Sequence, residues 1–188
     1  MKRLPVLSAL LLAAVLLGRS LYLPAAEEGA AAKKDPEVKI KAAMAKLSES
    51  DRKLAEAQRY CAVESENRLG SMGAPIKLDV GGKPVFICCA GCRDTALEDP
   101  KATLAEVEKL KKVAASLAKM KEADRALAER QRYCPVMEES RLGSMGAPLR
   151  IEIKGKPVFL CCKECKDDAL ADPEATLKKV DELKAKNK

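Results

Sequence analysis

Sliding the sequence by 73 residues lays positions 39–111 over 112–184 without a gap, and about three-fifths of the paired residues are identical. Arg68 to Pro75 recurs unchanged as Arg141 to Pro148, and Gly82-Lys83-Pro84-Val85-Phe86 recurs as Gly155-Lys156-Pro157-Val158-Phe159. Each of the eight cysteines has its counterpart, four per copy. The folding unit is therefore small, and whatever staples it is present twice. The chain is expected to divide into an N-terminal segment (1–26), an Ala/Glu/Lys linker (27–38), a first cysteine module with flanking helices (39–111) and a second (112–188).

A unit of this size buries a small fraction of its surface and usually needs a disulfide or a metal to hold it. Two phenylalanines, three tyrosines and no tryptophan leave little large apolar volume for a core. Histidine is absent, which removes the commonest metal ligand and the usual general base near neutral pH, so no enzyme is expected. The formal charge of +7 falls to about +4 once Lys2, Arg3 and Arg19 are set aside with the N-terminal segment. The remaining charges alternate along helices, and the only basic run is Lys184-Ala185-Lys186-Asn187-Lys188. That is a solvated surface, and no nucleic-acid partner is expected.

Met1-Lys2-Arg3 followed by the apolar run Leu4–Leu17 has the form of a signal peptide, with small residues suited to cleavage at Ala25-Ala26 or Ala30-Ala31-Ala32. The run is short for a membrane span of about 20 residues, and an uncleaved anchor would place Arg19 inside the bilayer. The expectation is an exported protein, periplasmic or secreted, with no stable membrane span after signal cleavage. Such a compartment lets disulfides persist, which sharpens the question of what the cysteines do.

Each copy reads as helix, loop, hairpin, cysteine knuckle and helix, an α+β pattern. Ile40, Met44, Leu47 and Leu54, and their counterparts Val113, Leu117, Met120 and Leu127, recur at helical spacing. Ser48 or Ser50 is placed to break the first of these helices by capping a second segment. Ile76, Leu78 and Val80 alternate with polar residues, as do Leu149, Ile151 and Ile153, and predict half-buried strands. Turns at Gly81-Gly82-Lys83 and Lys154-Gly155-Lys156 return the chain along Pro84–Cys88 and Pro157–Cys161. Asp99-Pro100 and Asp172-Pro173 start the last helix of each copy. The first of these helices runs into the second copy, which predicts a long amphipathic helix joining the modules.

The cysteines fall as Cys61 followed by Cys88-Cys89-Ala90-Gly91-Cys92, and as Cys134 followed by Cys161-Cys162-Lys163-Glu164-Cys165. Thiolates are soft ligands that favour Cu(I) and Zn(II) over Ca(II) or Mg(II). Arg93, Lys163 and Lys166 are placed to offset their charge. Two other readings stand beside metal binding. An even number of cysteines in a small exported module fits a structural disulfide framework. Cys89-x2-Cys92 and Cys162-x2-Cys165 have the spacing of a thiol–disulfide exchanger or of a zinc knuckle half-site. Alternation along the strand turns Cys89 and Cys162 away from Cys88 and Cys161. Met72 and Met145, in matching Gly-Ser-Met-Gly loops, are expected to plug the small cores, with thioether ligation as the other option. Tyr60 and Tyr133 are expected to anchor the core with a wet hydroxyl.

Tyr133-Cys134-Pro135-Val136, the Gly-Lys-Pro-Val-Phe hairpin, the Cys-x3-Cys cluster and the Asp-Pro helix start together resemble the TRASH/YHS-like family of heavy-metal-binding domains. The resemblance covers Tyr60 to Val107 and Tyr133 to Val180. Both copies depart from the family pattern in a longer first cysteine spacing, in lacking the Tyr-His-Ser tripeptide, and in the extra Cys89 or Cys162. The resemblance implies two small treble-clef-like modules. It implies Cys61, Cys88 and Cys92 as one ligand set and Cys134, Cys161 and Cys165 as the other, with Cys89 and Cys162 as less certain members. The cofactor implied is a soft metal ion, Zn(II) or Cu(I), up to two per chain, to be buffered, trafficked or sensed. Any cargo then passes to an extracytoplasmic partner protein. Separate ligand sets also suggest that one module can lose its metal without disturbing the other.

Overall fold

The computed structural model describes residues 36–187, so the signal-peptide reading and most of the linker lie outside the described residues. Within them the chain is mixed α+β. Its elements are α1 (Pro36–Met44), α2 (Glu49–Gln58), β1 (Ile76–Val80), β2 (Lys83–Ile87), a 3-10 turn (Ala90–Cys92), α3 (Arg93–Glu98) and α4 (Pro100–Ala118). Then follow α5 (Glu122–Gln131), β3 (Leu149–Ile153), β4 (Lys156–Leu160), α6 (Cys165–Ala171) and α7 (Pro173–Lys186). Helix α1 covers Pro36–Met44, so helix already occupies the end of the stretch read as linker. Among the described residues no helix is long and apolar enough to cross a membrane.

The amphipathic stretch is two helices in both copies. Ser48 caps α2 by accepting the Asp51 N–H at 3.2 Å. The second copy breaks at the same place although Lys121 offers no capping side chain. The break therefore owes more to tight final turns, Leu47 N–H to Met44 O in one copy and Met120 N–H to Leu117 O in the other, than to the serine. The two hairpins are antiparallel, with Leu78 opposite Val85 and Ile151 opposite Val158. Asp99 and Asp172 each accept an N–H three residues on, from Ala102 and Ala175 at 2.9 Å.

Each hairpin presses its inner face on helices. Phe86 and Phe159, the chain's only phenylalanines, are fully buried at matching places. Each contributes about 1.5–3 kcal/mol of apolar burial. Leu69 and Leu142, from the repeated loop, fill the space beside them. Met72 and Met145 do not: they are 64% and 60% exposed. The loop passes from Gly70 (φ 93°) to Gly73 (φ 123°), and these left-handed turns send leucine inward and methionine outward. Gly70 is also held to glycine by space, since a Cβ there would lie 3.1 Å from the Ile40 carbonyl oxygen.

The cores are not insulated from one another. Helix α4 gives Val107 to the first and Leu110, Val113 and Leu117 to the second. Tyr60, from the first copy, is buried in the second core, while its counterpart Tyr133 is only half-buried. The Tyr60 hydroxyl, expected to be wet, instead donates to Glu129 at 3.3 Å, and the Arg141 guanidinium lies 4.2 Å above the ring. Glu129 on α5 also pairs with Arg59 at 2.5 Å and Arg68 at 3.5 Å, and Arg68 in turn pairs with Glu37. Two arginines and a tyrosine of one copy thus converge on one buried carboxylate of the other. Glu129→Ala should destabilise the chain by about 2–4 kcal/mol, since it leaves Arg59 without its partner in a part-buried site. Denaturant unfolding checks this, and a loss below about 0.5 kcal/mol, the level of an exposed pair, would refute it.

Candidate metal centre

Cys61 and Cys134 are positioned by a turn that sequence reasoning missed. Arg59 and Arg132 take φ of 64° and 67° without being glycine. The next N–H, of Tyr60 or Tyr133, bonds back to the Gln58 or Gln131 carbonyl at 2.8 Å. This is a γ-turn of the rarer, strained hand, and it persists only where the surroundings over-determine it. The over-determination comes from a buried glutamine. Gln58 Nε2 donates to the Tyr60 and Phe86 carbonyls at 2.8 and 2.6 Å, and its Oε1 accepts the Phe86 N–H at 2.9 Å. Gln131 repeats this with Tyr133 and Phe159. One amide thus ties the end of α2 or α5, the first-cysteine turn and the second hairpin strand together.

Replacing Gln58 with leucine keeps much of the volume but strips partners from a buried N–H and a buried carbonyl. We expect a loss of about 2–4 kcal/mol, from two or more unsatisfied groups at about 1–3 kcal/mol each. Thermal unfolding of Gln58→Leu measures it, and wild-type stability would show that the bridge contributes nothing.

The first cysteine enters on this turn, with the Cys61 N–H on the Asn67 carbonyl at 2.9 Å and the Cys134 N–H on that of Ser140 at 3.0 Å. The other thiols come from the end of the hairpin and the start of the next helix. In the first copy Cys88 follows β2 and Cys92 ends the 3-10 turn leading into α3; in the second Cys161 follows β4 and Cys165 opens α6. The Cys88 N–H points at Cys61 Sγ, 3.3 Å away.

The structure brings Cys61, Cys88 and Cys92 together, and likewise Cys134, Cys161 and Cys165. In each triad all three Sγ atoms lie within 4.8 Å of one another, and all six residues are buried. Cys61–Cys92 and Cys88–Cys92 are each 3.8 Å, and Cys161–Cys165 is 3.7 Å. Four sulfurs bonded tetrahedrally to one ion at about 2.3 Å stand about 3.8 Å apart, so these spacings fit a thiolate-bound ion. The donors are all sulfur, the chemistry of Zn(II) and Cu(I) rather than of Ca(II) or Mg(II). Each triad can hold a metal ion.

Cys89 and Cys162 do not turn to the far side. Cys89 Sγ is 3.9 Å from both Cys88 and Cys92, and Cys162 Sγ is 3.8 Å from Cys161 and 3.5 Å from Cys165. Strand alternation fails here because β2 ends at Ile87 and β4 at Leu160, so the adjacent cysteines already lie in the turn. Both are half-buried and sit on the rim of their cluster. Arg93, Lys163 and Lys166 are exposed.

Burial sets the ionisation of the thiols. It raises Cys92 and Cys161 to about 11, and pushes Cys88 and Cys165 up as well. Cys89 goes the other way, lowered first by the Gly91 N–H. At Cys134 burial pushes upward, but the N–H groups of Met137, Cys161 and Val136 outweigh it and leave the thiol below its ordinary value. Without a metal each cluster thus mixes neutral thiols with one more readily ionised sulfur.

The sites differ at their edges. In the first, Asn67 Nδ2 lies 3.9 Å from Cys88 Sγ. In the second, the Met137 thioether lies 3.9 Å from Cys161 Sγ. Met137 has no methionine counterpart in the other copy, unlike Met72 and Met145, and so does not stand out in the repeat pattern. The signal that could have found it is a difference: Glu64 stands at the matching place in the first copy. No family model matches the sequence, and no curated protein or solved structure matches it.

Proposed function

We propose that this chain is an exported soft-metal-binding protein that holds Zn(II) or Cu(I), one ion in each of two TRASH/YHS-like, treble-clef-like modules. It buffers the metal or passes it to an extracytoplasmic partner. The observation that carries this reading is the pair of buried cysteine triads, with sulfur spacings that fit a thiolate-bound ion. Cys61, Cys88 and Cys92 hold one ion; Cys134, Cys161 and Cys165 hold the other. Cys89 and Cys162, on the rim, supply a further thiolate that can enter or leave coordination as the ion is handed on. The metal also acts as the staple that a core so poor in aromatics requires.

The test uses the reduced mature chain under anaerobic conditions. It should take up two equivalents of Zn(II) or Cu(I), with sulfur neighbours at about 2.3 Å by X-ray absorption. Binding should tighten as pH rises from 6 towards 9. Thiols held protonated by a raised pKa must release their protons to the solvent before they ligate, and higher pH makes that release easier. No uptake, or only oxygen and nitrogen neighbours, would overturn the reading. Protein from the native compartment that shows no free thiol before or after chelation would instead mark a disulfide framework.

A further inference from the structure

The two sites are built from matching backbone but are not the same site. Three residues past the first cysteine, Glu64 and Met137 occupy equivalent turns. The Glu64 carbonyl accepts the Asn67 N–H at 2.8 Å, and the Met137 carbonyl accepts the Ser140 N–H at 2.8 Å. The same turn thus carries a glutamate in one copy and a methionine in the other. The Met137 thioether lies 3.9 Å from Cys161 Sγ, one of the three clustered sulfurs. Met137 is nevertheless 46% exposed, so the core does not hold it there. It is an unbranched side chain with three rotatable bonds, able to close on an ion at the Cys161 side of the triad.

Resting on the metal-binding reading above, we propose that Met137 is a thioether ligand of the second site and makes that site selective for Cu(I), while the first site favours Zn(II). A thioether is soft and uncharged. It adds a bond to Cu(I) without adding to the negative charge of three thiolates around a monovalent ion. Zn(II), of borderline softness, gains little from such a donor. In the first copy the residue at that turn is a hard carboxylate, and the Asn67 amide approaches Cys88 instead.

The proposal is tested on the reduced full-length mature chain with the bare metals as probes. With methyl-labelled methionine, one equivalent of Cu(I) should shift the Met137 methyl resonance, assigned by its absence from Met137→Leu, and Zn(II) should leave it in place. In competition with a Cu(I) chelator, Met137→Leu should weaken the tighter Cu(I) site by roughly tenfold to a hundredfold, less than the loss of a thiolate because a neutral thioether is the weaker donor, with Zn(II) affinity unchanged. Glu64→Met should raise Cu(I) affinity at the first site. Because positions 137 and 64 are both exposed, these substitutions leave the core intact, which an unchanged melting temperature of the Zn(II)-loaded chain also checks. If both sites bind Cu(I) equally and Met137→Leu changes neither the affinity nor the methyl shift, this proposal is wrong while the metal-binding reading stands. If neither site takes up either metal, both fall.

Discussion

Metal-loaded Cys61→Ser should melt at least about 10 °C below the loaded wild-type chain. Structural zinc sites in small modules contribute about 10–16 kcal/mol of binding free energy at neutral pH, and removing one of three buried thiolates forfeits several kcal/mol of it. In a chain of this length each kcal/mol moves the melting temperature by about 2–4 °C. The damage should not stop at the first module. The next residue back, Tyr60, is buried in the second core, and its hydroxyl is on Glu129. Helix α4 feeds both cores as well. Hydrogen exchange should therefore speed up in α5 and β4 as well as in β1 and β2. Cys134→Ser should be more contained, because its neighbour Tyr133 is half-buried and its hydroxyl donates to Glu66 at 3.2 Å on the exposed side. Equal melting temperatures for Cys61→Ser and wild type when both are loaded would show that the thiol staples nothing.

The second large effect separates adjacent cysteines. Cys161→Ser should weaken metal binding at the second site by more than a hundredfold, beyond the range of about 10–100-fold seen for groups that only support a ligand. Cys162→Ser should stay within about tenfold. Cys161 is buried and belongs to the mutually close triad, whereas Cys162 approaches Cys161 and Cys165 from the rim. On the proposed reading, losing the first removes a bond to the ion, whereas losing the second removes a thiolate that can enter or leave coordination. Chelator competition under anaerobic reducing conditions measures both. The reverse order would assign the ion to the Cys162-x2-Cys165 half-site, and equal losses would mean that all four thiols share it.

The duplication, the hairpins, the Asp-Pro helix starts and the helix crossing between copies were legible in the sequence because each rests on local rules. Alternation, turn chemistry and capping act over a few residues, and an internal repeat allows every such signal to be read twice. The cysteines were legible as a cluster because three of four sit within five residues in each copy. What local rules do not reach was decided by the tertiary structure. Cys89 and Cys162 stay beside the cluster because the strand ends one residue before Cys88 and Cys161, and alternation has no force past a strand's end. Met72 and Met145 point outward because positive-φ glycines turn the loop, leaving Leu69 and Leu142 to fill the cores. The glutamines that hold the first-cysteine turns looked like ordinary polar residues, since only a long-range strand places the Phe86 and Phe159 backbones against them. Equivalence between the copies is also a property of sequence alone. Folding packs the two modules against each other asymmetrically: Tyr60 is enclosed, Tyr133 is not, and Glu129 gathers two arginines from the other copy. A repeat determines what each module can build, but only the packing of the two decides which copy of each residue is buried.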